Sequence, residues 1–205
     1  MVLSGFEYLG TVAFAISGAM VGIRKEMDVF GIAVLAVTTA VGGGILRDVL
    51  VGHTPPTAFL DPTFTLLALA SAILTCVAHS WLVRITNVVQ LCDAVGLGAF
   101  TAVGASLAIT YELNTLYIMV FLGAATGIGG GVLRDVFARE IPLVFQQEIY
   151  ALASIAGGVA LYYAQWQLPL WQAMYLCFFL TLGIRLLCVH YNVHLPKVGR
   201  VTRHI

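Results

Sequence analysis

Seven apolar stretches, each close to the length that crosses a bilayer, leave this chain few folds to choose from. They run over about 4–23, 29–51, 63–83, 88–110, 114–137, 147–165 and 168–189, and about 20 apolar residues in a helix span the hydrocarbon core. Charged or turn-forming residues separate them: Arg24-Lys-Glu-Met-Asp28, His53-Thr-Pro-Pro56 with Asp61-Pro62, Arg84, Glu112 with Asn114, Arg139-Glu-Ile-Pro142 and Leu168-Pro169. Only 10% of residues are charged and 60% are hydrophobic, whereas a water-soluble domain carries roughly a quarter charged residues on its surface. The expected fold is all-α integral membrane, with seven transmembrane helices in a single membrane domain over 1–205. That leaves no room for a soluble catalytic module, so the chain is not expected to be an enzyme.

Loop charge orients the spans, because Lys and Arg are retained in the cytoplasm. Arg24, Lys25, Arg84, Arg139, Lys197, Arg200 and Arg203 fall on one side of a seven-span arrangement, and Glu112 and Asp61 on the other. The N-terminus is expected outside and the C-terminus, with the polar tail 190–205, in the cytoplasm. Met1 to Phe6 carries no basic residue, so the first stretch reads as a retained helix rather than a cleaved signal. The formal charge is zero, which gives no basic surface for nucleic acid. Cys76, Cys92, Cys177 and Cys188 sit in apolar runs without CxxC spacing and read as apolar filler.

The chain also repeats itself. Thr39-Ala-Val-Gly-Gly-Gly-Ile-Leu-Arg-Asp-Val49 matches Thr126-Gly-Ile-Gly-Gly-Gly-Val-Leu-Arg-Asp-Val136 at a constant offset, and Pro55 matches Pro142 at the same offset. Upstream, Ala13-Phe14 and Gly18-Ala19 match Ala99-Phe100 and Gly104-Ala105 at an offset one shorter, which aligns Glu7 with Asp93. Repeat A covers about 4–83 and repeat B about 88–165, with a seventh helix over 168–189 outside both. Three spans is an odd number, so the second copy must enter the membrane from the opposite side. Inverted repeats of this kind place binding sites near the midplane, where the copies meet.

Three adjacent glycines cost a helix roughly 1 kcal/mol each against alanine. Gly42, Gly43 and Gly44, and Gly129, Gly130 and Gly131, are therefore expected to kink the second and fifth spans. A break is tolerated in a bilayer only where it is buried in protein or lines a polar cavity, so the two should face each other. Carbonyls at one half-helix end suit a cation or ammonium group, and N–H groups at the other suit a carboxylate. The alternative use of the glycines is close helix packing. Arg47-Asp48 and Arg134-Asp135 lie one turn further, inside the spans, where charge marks a pathway or a buried pair. Neighbours on a helix point about 100° apart, so each Arg is expected to pair with another helix rather than with the Asp beside it. Glu7 and Asp93, near the starts of the first and fourth spans, would draw cations into two vestibules or simply favour a helix N-terminus. Ser17, Thr38, Thr39, Thr101 and Thr126 are candidates for a polar path, or for hydroxyls bonded to their own helices.

Other signals are weaker. His190 and His194 have no third ligand for a metal, and no cofactor is expected. Trp81, Trp166 and Trp171 flank span ends as interface anchors. The glycine runs lack the Lys-Ser/Thr of a phosphate loop.

The paired GGGxLRD motifs, Asp28-Val-Phe-Gly31, and Arg139-Glu-Ile-Pro-Leu-Val-Phe145 before Glu148-Ile-Tyr150 resemble the bacterial inner-membrane glycine transporter domain family, over nearly the whole chain. That family is similar in architecture to the trimeric intracellular cation (TRIC) channels. The resemblance implies seven helices, inverted three-helix repeats, glycine kinks beside the translocation path in a bacterial inner membrane, and a homotrimer with one pore per subunit. One departure stands out: the animal channels carry basic residues in the fourth helix, and 88–110 has none. The partners expected are the lipid bilayer and a small solute. Glycine or a similar zwitterion comes first, a monovalent cation such as potassium second, and a scaffold that moves nothing third.

Overall fold

The computed structural model describes residues 2–85, 87–146 and 149–191. Glu148 of the family-like motif, His194, and the tail charges Lys197, Arg200 and Arg203 lie outside the described residues. Nine helices are seen among those described: α1 (Val2–Arg24), α2 (Val29–Leu50), α3 (Thr57–Leu60), α4 (Thr63–Leu82), α5 (Val88–Thr110), α6 (Leu116–Phe137), α7 (Leu143–Gln146), α8 (Ile149–Ala164) and α9 (Leu170–Tyr191). Six are long and apolar enough to cross a membrane, and α8, at 16 residues, is shorter. The expected boundaries agree within about two residues.

Local chemistry explains where the helices begin and end. The Asp28 carboxylate accepts from the Gly31 N–H at 2.7 Å and opens α2, and the Thr115 hydroxyl does the same for Ile118 and α6 at 3.4 Å. Four helices close on a left-handed residue: Glu26 after α1, Gly52 after α2, Glu112 after α5 and Arg139 after α6. The N–H just beyond then reaches back to a carbonyl of the last turn, from His53 to Asp48 and from Glu140 to Asp135, each at 2.8 Å. This is the closure that satisfies orphan carbonyls at a helix end. The same solution recurs at matching positions of the two repeats.

The triglycine kinks are where structure and expectation part. Both α2 and α6 run as uninterrupted hydrogen-bonded helices through their glycines, so neither offers the expected pair of half-helix ends. The glycines act as contact surface instead. A methyl group at Gly43 would overlap the Thr126 carbonyl oxygen, and one at Gly130 would overlap that of Thr39. The two helices thus cross with their backbones touching, as small residues allow in a membrane. The packing energy gained at this crossing offsets the glycines' cost in backbone entropy, so no break is needed.

The contacts come in pairs that exchange repeat positions. Gly18 faces the Thr39 hydroxyl and Gly104 that of Thr126, while Gly10 faces the Phe100 ring and Gly96 that of Phe14. Phe14 and Phe100 meet each other, with ring centroids 5.4 Å apart. Helices α1 and α5 form the centre, 67% and 78% buried, against 22% for α4 at the periphery. Glycines along the central helices let aromatic rings fill the middle of the molecule and leave the charged groups nearer its two ends.

Candidate functional site

Each repeat ends its glycine-bearing helix in an arginine buried among carboxylates. On α2, Arg47 Nε donates to Asp48 Oδ1 at 2.9 Å and Nη2 lies 2.8 Å from the same oxygen. Its Nη1 lies 3.5 Å from Glu7 of α1. The second Asp48 oxygen accepts from the Thr57 N–H at 2.8 Å, and His53 Nδ1 stands 4.0 Å from it. On α6, Arg134 Nε donates to Asp135 Oδ1 at 2.8 Å. Its Nη1 donates to Asp93 Oδ1 of α5 at 2.5 Å and to the Ser17 hydroxyl of α1 at 2.6 Å. The second Asp135 oxygen accepts from the Leu143 N–H at 2.9 Å.

The expectation that neighbouring Arg and Asp could not pair is therefore corrected. An arginine side chain is long enough to fold back along its own helix, and its planar fork lays two N–H groups on one carboxylate oxygen. Its remaining N–H groups then face the adjacent helix, where Glu7 and Asp93 stand. So the alignment of Glu7 with Asp93 across the repeats is also a structural equivalence: each is the carboxylate that the other helix presents to the arginine.

The two clusters are not equally tight. Arg134 and Asp93 are 1% and 0% exposed, while the Glu7 side chain is 17% exposed and further from its arginine. At the position matching Ser17, repeat B has Val103, so Arg47 lacks a hydroxyl acceptor that Arg134 has. Tyr150 of α8 stands beside the second cluster. A methyl at Gly131 would lie 3.0 Å from the Tyr150 hydroxyl and 3.3 Å from Asp93, and the Arg185 guanidinium of α9 stacks 4.6 Å above the Tyr150 ring.

A cavity opens onto each cluster. One of about 30 Å³ is bounded by Glu7, Thr11, Gly44, Arg47, Asp48 and Phe100 among others. The other, about 190 Å³, is bounded by Arg24, Lys25, Asn87, Gln90, Arg134, Asp135 and Glu140 among others. Glu7 and Arg24 stand near opposite ends of α1, so the cavities enter from opposite ends of the bundle. Lys25 and Glu140 pair at 2.7 Å at the wider one. Between the two lie Phe14, Phe100 and the Gly43–Gly130 crossing.

The glycines divide by position. Gly44 lines the smaller cavity and Gly131 adjoins Asp93 and Tyr150; Gly42 and Gly129 pack on Leu133 and Leu46, and Gly43 and Gly130 form the crossing. Among the hydroxyls, Thr39 and Thr126 bond their own helices at 2.6 Å, and Thr101 pairs with Ser154 at 2.7 Å. Of the hydroxyl groups proposed for a polar path, only Ser17 holds a charged residue of a cluster. Sequence reasoning missed Tyr150 and Arg185. Arg185 carried a usable signal, a charge inside an apolar span; Tyr150 carried only its place in the family-like motif.

Known proteins share the sequence and the fold of this chain. The family model described as "Glycine transporter" matches residues 5–80 and 90–166. The chain is 40% identical over 199 residues to the UPF0126 inner membrane protein YadS of Escherichia coli, covering 96% of each. It is 33% identical to the UPF0126 membrane protein YvgT of Bacillus subtilis, covering 92% of this chain and 93% of that one. Its fold is similar to a structure solved for conductance through TRIC cation channels, with TM-score 0.87, 36% identity, and coverage of 97% and 98%. It is also similar to the trimeric intracellular cation channel orthologue from Rhodobacter sphaeroides, with TM-score 0.86, 30% identity, and coverage of 94% and 99%.

Proposed function

This chain belongs to the glycine transporter family of multi-pass membrane proteins, and on that premise we propose that it passes a small monovalent cation of the potassium class. The path runs from the Glu7–Arg47–Asp48 cavity, past the Phe14–Phe100 and Gly43–Gly130 contacts, to the Arg134–Asp135 cavity. The observation that carries this reading is the smaller cavity. It sets two carboxylates against one guanidinium, which favours a cation when both are ionised. Of the two cavities on the path it is the narrower, which favours a compact solute. The similar structures described as cation channels support the same choice over glycine.

Glycine is the second reading, favoured by the description of the family and by a guanidinium and carboxylates lying side by side. In either case the path closes at its middle, where backbones and rings touch, so passage requires α2 and α6 to shift. On our reading the repeats are inverted, the N-terminus is outside and the C-terminus inside a bacterial inner membrane, and the protein is a homotrimer. The shared location of Arg24, Lys25 and Glu140 at one cavity fits that orientation.

Liposomes loaded with potassium and carrying the purified protein test the reading. Potassium efflux reduced in Glu7→Gln is expected. Saturable uptake of labelled glycine, with no potassium permeability, would replace it with the second reading.

A further inference from the structure

The four-residue helices α3 and α7 edge the two cavities, Thr57 and Ala58 at the smaller and Leu143 at the larger, and both are tied to the charged clusters in the same way. Thr57 is the first residue of α3 and Leu143 the first of α7. Their N–H groups bond the outer oxygens of Asp48 and Asp135, whose inner oxygens hold Arg47 and Arg134. Neither short helix has a buried residue. Their largest apolar groups point outward instead: Phe59 is 73% exposed and Phe145 72%, with Ile141 beside it at 67%. Neither helix contains a charged residue.

We propose that α3 and α7 lie in the two membrane interfaces as lipid-held levers, which set the positions of Arg47 and Arg134 through the carboxylates of Asp48 and Asp135. The occupant of the exposed face is the bilayer boundary. Helix α3 joins the end of α2 to the start of α4, and α7 joins the end of α6 to α8, so both sit where spans leave the hydrocarbon. Uncharged backbone turns bearing Phe and Ile are suited to that depth, with apolar rings toward the acyl chains and polar backbone toward the headgroups. A carboxylate is a rigid plane with acceptors on both sides. When the bilayer thins or thickens, the short helix moves with the headgroups and the carboxylate carries that displacement to the guanidinium. One lever serves each face, in keeping with the paired contacts of the repeats.

The anchoring part stands alone, while the lever part rests on the proposed transport. Two measurements keep them separate. In the first, Phe59→Trp and Phe145→Trp proteins are placed in phosphatidylcholine vesicles, and the added fluorescence is taken as the difference from the parent. Blue-shifted emission quenched by lipids brominated near the headgroup is expected. Water-like emission overturns the proposal, and so does blue-shifted emission without lipid quenching, which would mean that a second copy of the chain covers the site.

The second measurement compares potassium and glycine flux in dimyristoleoyl and dierucoyl phosphatidylcholine. Between these thicknesses the wild-type flux is expected to change on the order of three- to tenfold, given the modest cost of each ångström of mismatch. The Phe59→Ser/Phe145→Ser protein, altered only at exposed positions, is expected to change less than about twofold. Equal thickness dependence in the two proteins, or none in the wild type, overturns the lever. Absence of all flux in every bilayer would sink the proposed transport and leave the depth measurement to decide the anchoring.

Discussion

Replacing Gly43 with alanine separates close packing from a helix break. In the structure, the new methyl would overlap the Thr126 carbonyl oxygen by roughly 1 Å relative to an ordinary C···O contact. It would also lie 3.3 Å from the carbonyl carbon and 3.4 Å from the Gly130 nitrogen. All three neighbours are backbone, so no side chain can rotate away and α2 must separate from α6. Overpacking of this kind costs about 1–3 kcal/mol, and the separation further loosens the contacts around Phe14 and Phe100. Better helix propensity returns at most about 1 kcal/mol. At Gly44, one residue on, the nearest atom is Arg47 Nη2 at 3.9 Å, so the propensity gain stands unopposed. Thermal unfolding in detergent, followed by circular dichroism, should show Gly43→Ala and Gly130→Ala melting below the wild type. Gly44→Ala should melt at or above it. If the three substitutions behave alike, or Gly44→Ala is the most damaging, the crossing is not what the glycines are for.

The remaining expectations concern the charged clusters. Arg134→Met should destabilise by about 3–5 kcal/mol, more than Arg47→Met in the same assay, because it strands two buried carboxylates in the tighter cluster. Ser17→Ala should cost about 1.5–3 kcal/mol by removing an acceptor from a charged donor. Thr126→Val should cost less, about 1 kcal/mol, since that hydroxyl bonds only its own helix. Glu140→Gln should change stability by no more than about 1 kcal/mol, with the difference vanishing at high salt, because its pair with Lys25 is solvent-exposed. Gly131→Ala, which presses on Tyr150 and Asp93, should lower solute flux in liposomes while leaving the Arg47 side of the path unaltered.

How far the candidate site could be read in advance differs from residue to residue. Arg47, Asp48, Arg134 and Asp135 stood out because charge inside an apolar span is costly wherever the chain goes, and the repeat named Glu7 and Asp93 as counterparts. Their partners did not stand out. Whether an arginine turns back to its neighbour or reaches across depends on rotamers chosen by the packing around it, and no periodicity records that choice. The Thr57 and Leu143 N–H groups were hidden for a different reason: they are backbone atoms, which every sequence position possesses alike.

Alone, the order of residues determined the limits of the long helices, the membrane as their solvent, and the duplication that pairs α2 with α6. These follow from hydropathy and repetition, which are properties of neighbours along the chain and survive any arrangement of the helices. Tertiary structure alone decided that the triglycines stay helical and serve as a crossing. It also decided that Arg47 and Arg134 fold onto the adjacent aspartates, and that Ser17, Tyr150 and Arg185 gather at one cluster and not the other. Each of those outcomes compares a local cost, in backbone entropy or buried charge, with contacts made by residues far away in the chain. Only once the helices are packed does that comparison have an answer.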